Sequence, residues 1–128
     1  MQYVFQSLLL IIFSLTALTH TDKIDQIVIA IKAGNAEELA KFFDNRIEIT
    51  ILDEEGTYSK AQAELVIKDF FIKYPPKSFQ LVHNGTSSEG AEYAIGNLIT
   101  TKQKFRTYFY IKKVGTTYYI EQLRFEKQ

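Results

Sequence analysis

The stretch AEYAIGNLITTKQKFRTYFYIKKVGTTYYIEQLRF, running from Ala91 to Phe125, decides the fold. Aromatic and β-branched residues dominate it, as they do on pleated, half-buried surfaces. Lys102-Gln103 and Val114-Gly115-Thr116 punctuate it, so it reads as three consecutive strands joined by short turns. In the middle strand Phe105, Thr107, Phe109 and Ile111 share one face, the core side. Arg106, Tyr108, Tyr110 and Lys112 share the other. In the last strand the apolar phase slips: Tyr118 and Ile120 lie on one face, Leu123 and Phe125 on the opposite one. A bulge near Glu121-Gln122 reconciles the two halves, as does a sheet covered on both faces; the bulge is the expectation.

Everything upstream reads as material to cover one face of that sheet. Ser78 to Asn84 is the preceding strand, making a meander of four antiparallel strands after the turn-rich Gly85 to Gly90. Asn84-Gly85-Thr86 matches the glycosylation tripeptide, but Asn-Gly is first a turn signal. From the other end, Ile24, Ile27, Val28 and Ile31 fall at helical spacing within Asp22 to Ala33, and Gly34 is placed as its left-handed stop. Asn35 then caps a second helix, with Glu38 three residues on, Leu39, Phe42 and Phe43 as its apolar side, and Asp44-Asn45 as its end. Arg46 to Leu52 alternates as a strand, Asp53 to Gly56 turns, and Thr57-Tyr58 returns as a very short strand. Ser59 caps a third helix over Lys60 to Tyr74, with Ala61, Leu65, Ile67 or Val66, Phe70, Phe71 and Tyr74 as its apolar positions; Pro75-Pro76 ends it. The order is α-α-β-(β)-α-β-β-β-β: an α+β domain with helices packed on one sheet face.

Residues Val4 to Leu18 are almost continuously apolar. The run is shorter than the ~20 residues of a membrane span and suits the core of a secretory signal peptide. Ala17 and Thr19 supply small residues for cleavage near His20 to Asp22, although Met1 to Ser7 lacks the usual Lys or Arg. The expected organisation is a signal peptide over 1–21 and one domain over 22–128, exported to the periplasm or beyond, with no membrane span after cleavage; an uncleaved anchor is the alternative. The 128 residues carry fifteen positive and fifteen negative side chains, all after residue 21. A neutral domain has no general pull on phosphate, so nucleic acid is not an expected partner. There is no cysteine, which removes disulfides, thiolate metal sites and cysteine nucleophiles together.

The order resembles the NTF2-like (cystatin-like) α+β cone, in which a strongly bent antiparallel sheet wraps a helix and leaves a pocket at its open end. More specifically, the chain resembles DUF4783, a family of small exported bacterial proteins classed as a domain of unknown function. The residues carrying the resemblance are Gly34-Asn35-Ala36, Tyr58 to Glu64, Asp69-Phe70-Phe71 through Pro75 to Phe79, Tyr93 to Gly96, and Tyr118-Tyr119-Ile120 leading to Leu123-Arg124. It covers nearly all of 22–128. It implies a fold and an export route and carries no catalytic motif.

Candidate chemistry is sparse. His83, the lone histidine after the signal, is a candidate general base, against an ordinary structural histidine. Asp69 beside Phe70 and Phe71 is a candidate cone-pocket acid, against a solvated helix edge with Lys68 and Lys73. Tyr93, Tyr108, Tyr110, Tyr118 and Tyr119, with Arg106 and Arg124, form the richest set. Tyrosine and arginine together suit a recognition surface for a partner protein or a homodimer, against plain cross-strand aromatic pairing. Ala94 and Gly96 either admit a close approach or mark a bend. Phosphate-loop, zinc-helix and nucleophile-elbow signatures are missing, and no metal or cofactor is expected. The leading expectation is a non-catalytic exported domain binding a small ligand or an envelope protein. Its rivals are an isomerase- or dehydratase-like enzyme using Asp69 or His83, and a homodimeric assembly module with a filled interior.

Overall fold

A computed structural model describes residues 22–87 and 89–128; the expected signal peptide lies outside the described residues. The elements are α1 (Lys23–Ala33), α2 (Ala36–Ala40), β1 (Phe43–Ile51), β2 (Glu54–Ser59), α3 (Lys60–Lys73), β3 (Pro76–Thr86), β4 (Glu92–Thr100), β5 (Lys104–Val114) and β6 (Thr117–Lys127). The strands form one sheet in the order β2-β1-β6-β5-β4-β3. Every neighbouring pair is antiparallel except β1 and β6, which run parallel. The last strand in the chain therefore sits inside the sheet and joins the N-terminal hairpin to the meander.

Local signals set the helix ends as expected. Gly34 takes the left-handed conformation at φ 65° that stops α1. The Asn35 side chain accepts a hydrogen bond from the Glu38 amide at 3.1 Å. Ser59 and Gln62 exchange side-chain-to-backbone hydrogen bonds of 3.2 Å, a full capping box at the start of α3. Three segments differ from expectation. The second helix stops at Ala40, and Phe43 opens β1 instead, because Phe42 and Phe43 are claimed by β6: the Ile120 amide donates to the Phe42 carbonyl and Phe43 pairs with Ile120. The first hairpin turns at Leu52-Asp53, with Leu52 at φ 56°, so Glu54 to Gly56 belong to β2. Asn84-Gly85 neither turns nor loops out but runs within β3, opposite Ala94 and Tyr93.

The core lies between the helices and one sheet face. From α3 it takes Ala63, Ile67, Phe70, Phe71 and Tyr74, while Ala61 and Leu65 face outward, contrary to the expected apolar side. From β5 it takes Phe105, Thr107, Phe109 and Ile111, as the alternation requires. In β6 the bulge falls where the phase slips. Tyr110 opposes Gln122 and Ile111 opposes Ile120, leaving Glu121 as the extra residue, so Ile120, Leu123 and Phe125 all reach the core. Phe70 stacks on Phe125 at 4.4 Å and meets Phe105 edge-on at 5.1 Å, and Tyr74 meets Phe105 at 4.9 Å. These rings fill the space between α3 and the sheet. Gly96 in β4 serves a close approach: a Cβ there would stand 2.3 Å from the Phe79 ring and 2.8 Å from the Gln80 carbonyl oxygen.

Candidate functional site

The other face of the sheet collects most of the residues singled out for recognition. Antiparallel register places Tyr93 beside Tyr110, Tyr108 between Ile95 and Arg124, and Arg106 between Asn97 and Glu126. The alternation that buries Ala94, Leu98, Phe105 and Phe109 turns their neighbours outward. The bulge at Glu121 is what brings Gln122 and Arg124 onto the same face; without it they would point into the core. The Arg124 guanidinium lies 5.9 Å from the centre of the Tyr108 ring, within reach of a cation–π contact. A shallow groove of about 280 Å³ runs between them, lined by Ile95, Arg106, Tyr108, Gln122, Arg124 and Glu126.

Burial pushes the Tyr108 phenol above its usual value against the pull of Arg124, with Tyr110 and Tyr93 adding to the rise. It stays a neutral donor at physiological pH. Tyr93 leans over the β3 edge, with its ring over Gly85: a Cβ there would lie 2.6 Å from the Tyr93 hydroxyl oxygen. That hydroxyl sits 3.1 Å from His83 Nε2. His83 is exposed, and this contact makes it a neighbour of the tyrosine face and no part of the interior. Toward the β1–β2 side the face turns acidic. Glu48 shares a hydrogen bond with the Glu55 carboxyl, which with burial holds the Glu48 proton above its ordinary range, and Gln122 Nε2 donates to Glu48 at 3.4 Å.

Tyr118 stands apart from this set. It lies opposite Lys113 on the helix side of the sheet, packed against the core, with the Lys23 ammonium 3.6 Å from its ring centre. Lys23 also bonds Glu92 at 2.9 Å. Tyr118 therefore pins the start of α1. Asp69 is exposed on α3 at the rim of a cleft of about 530 Å³ between that helix and the β1–β2 hairpin, together with Tyr58, Lys73 and Tyr74. Asp69 and His83 are not brought together. Among the described residues no three His, Asp or Glu side chains converge as a metal site, and no helix is long and apolar enough to cross a membrane.

Sequence reasoning did not single out Ile95, Asn97, Glu48, Glu55 or Gln122 as members of this face. For Ile95, Asn97 and Glu48 the alternation with buried neighbours was the available signal. Gln122 needed the bulge to be placed to the residue.

The DUF4783 family model, described as a domain of unknown function, matches residues 24–126, which is almost the entire described fold. The chain belongs to the DUF4783 family. A DUF4783 protein from Bacteroides uniformis is 29% identical and superposes with a TM-score of 0.79 over 84% of this chain and 98% of its own. One from Bacteroides ovatus is also 29% identical, with a TM-score of 0.77 over 80% and 93%. A designed NTF2-type protein with a long sheet, 16% identical, superposes at 0.64 over 80% and 94%, which shows the NTF2-like fold alone. No curated protein matches the chain.

Proposed function

We propose that this DUF4783 chain is an exported, non-catalytic domain whose outer sheet face binds a protein partner in the cell envelope. The observation that carries the reading is the division of the two faces. Phe70, Phe71, Tyr74, Phe105 and Phe125 pack between α3 and the inner face, and the cleft left beside them lies at its edge, against the β1–β2 hairpin. The outer face presents Tyr93, Tyr108, Tyr110, Arg106 and Arg124 together. Large aromatic and arginine side chains on rigid strands give contact area and oriented hydrogen bonds at little cost in conformational entropy. An acid–base enzyme would need a carboxylate or imidazole inside the cone, whereas Asp69 and His83 are both exposed. The apolar run Val4 to Leu18 supports export.

Photo-crosslinking in the native host tests this. A benzophenone amino acid at position 110 is expected to trap a protein adduct, while the same group at Leu65, exposed on α3, traps none. Adducts at both positions alike, or at neither, refute the reading. Intact-mass measurement of the exported protein reports whether cleavage falls near His20 to Asp22.

A further inference from the structure

The charges on the outer face are arranged in two opposed zones. Arg106 and Arg124 flank Tyr108 on β5 and β6, and neither forms an ion pair among the described residues. The ion pairs that do form all use lysines: Lys23, Lys41 and Lys112. Arginine is the residue suited to bidentate capture of a carboxylate, so two uncommitted guanidiniums beside an aromatic ring make an acceptor-seeking zone. Glu126 borders this zone opposite Arg106 without closing a pair to it. On the next two strands, Glu48 of β1 and Glu55 of β2 put two carboxyls side by side, with Glu121 near them and Arg124 at their border. On the other side of the arginine zone, on β4 opposite Arg106, the Asn97 side-chain oxygen is buried with no hydrogen-bond donor among the described residues. A ligand supplying an N–H donor, a carboxylate and an ammonium in that order would meet every one of these groups.

We propose that the outer face receives an extended segment of the partner protein, with an acidic side chain over Arg106 and Arg124 and a basic side chain over Glu48 and Glu55. This rests on the reading of the face as an interaction surface and adds the chemistry of what it binds. The spacing agrees with an extended chain crossing the strands. Arg124 and Glu48 lie on neighbouring strands about 4.8 Å apart and two residues apart in register, since Glu48 faces Gln122, so they are separated by about 8 Å, close to the about 7 Å repeat of same-side residues in an extended segment. The zones differ in sign, which fixes the direction in which the segment lies.

The test is an NMR titration of the chain, purified from an exporting host, with the capped peptide acetyl-Thr-Glu-Thr-Lys-Thr-amide. Amide shifts are expected at Arg106, Tyr108, Gln122, Arg124 and Glu48, and not on α1 or α3. Arg106→Gln and Arg124→Gln should each weaken binding about threefold, the scale of one exposed ion pair. Replacing the peptide's Glu by Gln should do the same, and raising salt should weaken all of them together. Equal binding by the Gln-containing peptide, or shifts confined to the helix layer, overturns the proposal. A concentration series of the protein alone separates the two levels of inference. Concentration-dependent shifts on this face seat a second copy there, which overturns the segment and keeps the interaction surface. A face silent in both titrations, together with an unchanged crosslink pattern in Tyr108→Ala, overturns both.

Discussion

Replacing Gly96 by alanine should cost this domain stability out of proportion to one methyl group. Gly96 is buried in β4, and its φ is not among the positive ones, so backbone strain plays no part. On conformational grounds alone a Gly→Ala change at such a site stabilises by about 0.4–1 kcal/mol, since it restricts the unfolded chain. Sterics reverse the sign. The new Cβ would stand 2.3 and 2.7 Å from two carbons of the Phe79 ring and 2.8 Å from the Gln80 carbonyl oxygen. The ring can swing away, but Phe79 is only 8% exposed and gives up much of that burial when it does so. The Gln80 carbonyl belongs to the β3 backbone, which pairs with β4 at this level through Leu81 opposite Gly96, so it moves only by opening the ladder. Overpacking of this kind costs about 1–3 kcal/mol, which after the entropic gain leaves a net loss of about 1 kcal/mol and a Tm lower by roughly 5 °C. Thermal unfolding followed by circular dichroism measures it. The double variant Phe79→Leu/Gly96→Ala should lose less than the sum of the two single changes, because the shortened side chain no longer fills the space of the new methyl. A Tm for Gly96→Ala equal to or above the parent's, or strict additivity in the cycle, refutes the reasoning.

Two further outcomes follow from buried polar groups. The Thr107 hydroxyl is fully buried and finds no hydrogen-bond partner among the described residues, so Thr107→Val should raise the denaturant midpoint by the equivalent of about 1 kcal/mol; a lower midpoint would mean the hydroxyl is satisfied. Glu48 holds its proton above the ordinary value of 4.5, chiefly through the Glu55 carboxyl and then through burial. The native state therefore binds that proton more tightly than the unfolded chain, and stability is lost as pH rises from 4.5 through the folded value. Glu48→Gln removes this loss, so its Tm should exceed the parent's at neutral pH and the gap should close on acidification; a gap that widens in acid refutes it.

Much of this fold is written in local pattern. The alternation from Phe105 to Ile111 names the core face of β5 correctly, and the slipped phase between Ile120 and Leu123 marks the bulge at Glu121. Both signals come from burial acting residue by residue on a strand. What local pattern does not carry is competition for the same backbone. Leu39, Phe42 and Phe43 satisfy a helical stripe as well as they satisfy the end of a helix and the start of a strand, and the hydrogen bond from Ile120, far along the chain, decides between them. The α3 stripe fails similarly. Ala61 and Leu65 are spaced like Ala63 and Ile67, and only docking against the sheet selects the second pair. For the site, the alternation of β5 gathers Arg106, Tyr108 and Tyr110, whereas Tyr118 lies before the bulge and keeps the parity of the core side. The acidic zone was not legible because Glu48 and Glu55 meet through a hairpin whose turn falls at Leu52-Asp53, three residues before Glu55.

The position of β6 has a consequence for how the molecule comes into being. Until Thr117 to Lys127 has emerged from the ribosome, the β1–β2 hairpin and the β3–β4–β5 meander have no ladder in common. Each then exposes an open edge and an unfinished core lacking Ile120, Leu123 and Phe125. The seam between the two halves closes only when the eleven-residue β6 slides between β1 and β5, so a strand that follows all the others in the fold acts as the key that locks the sheet. A chain handed over before that moment is still unfinished along its whole length.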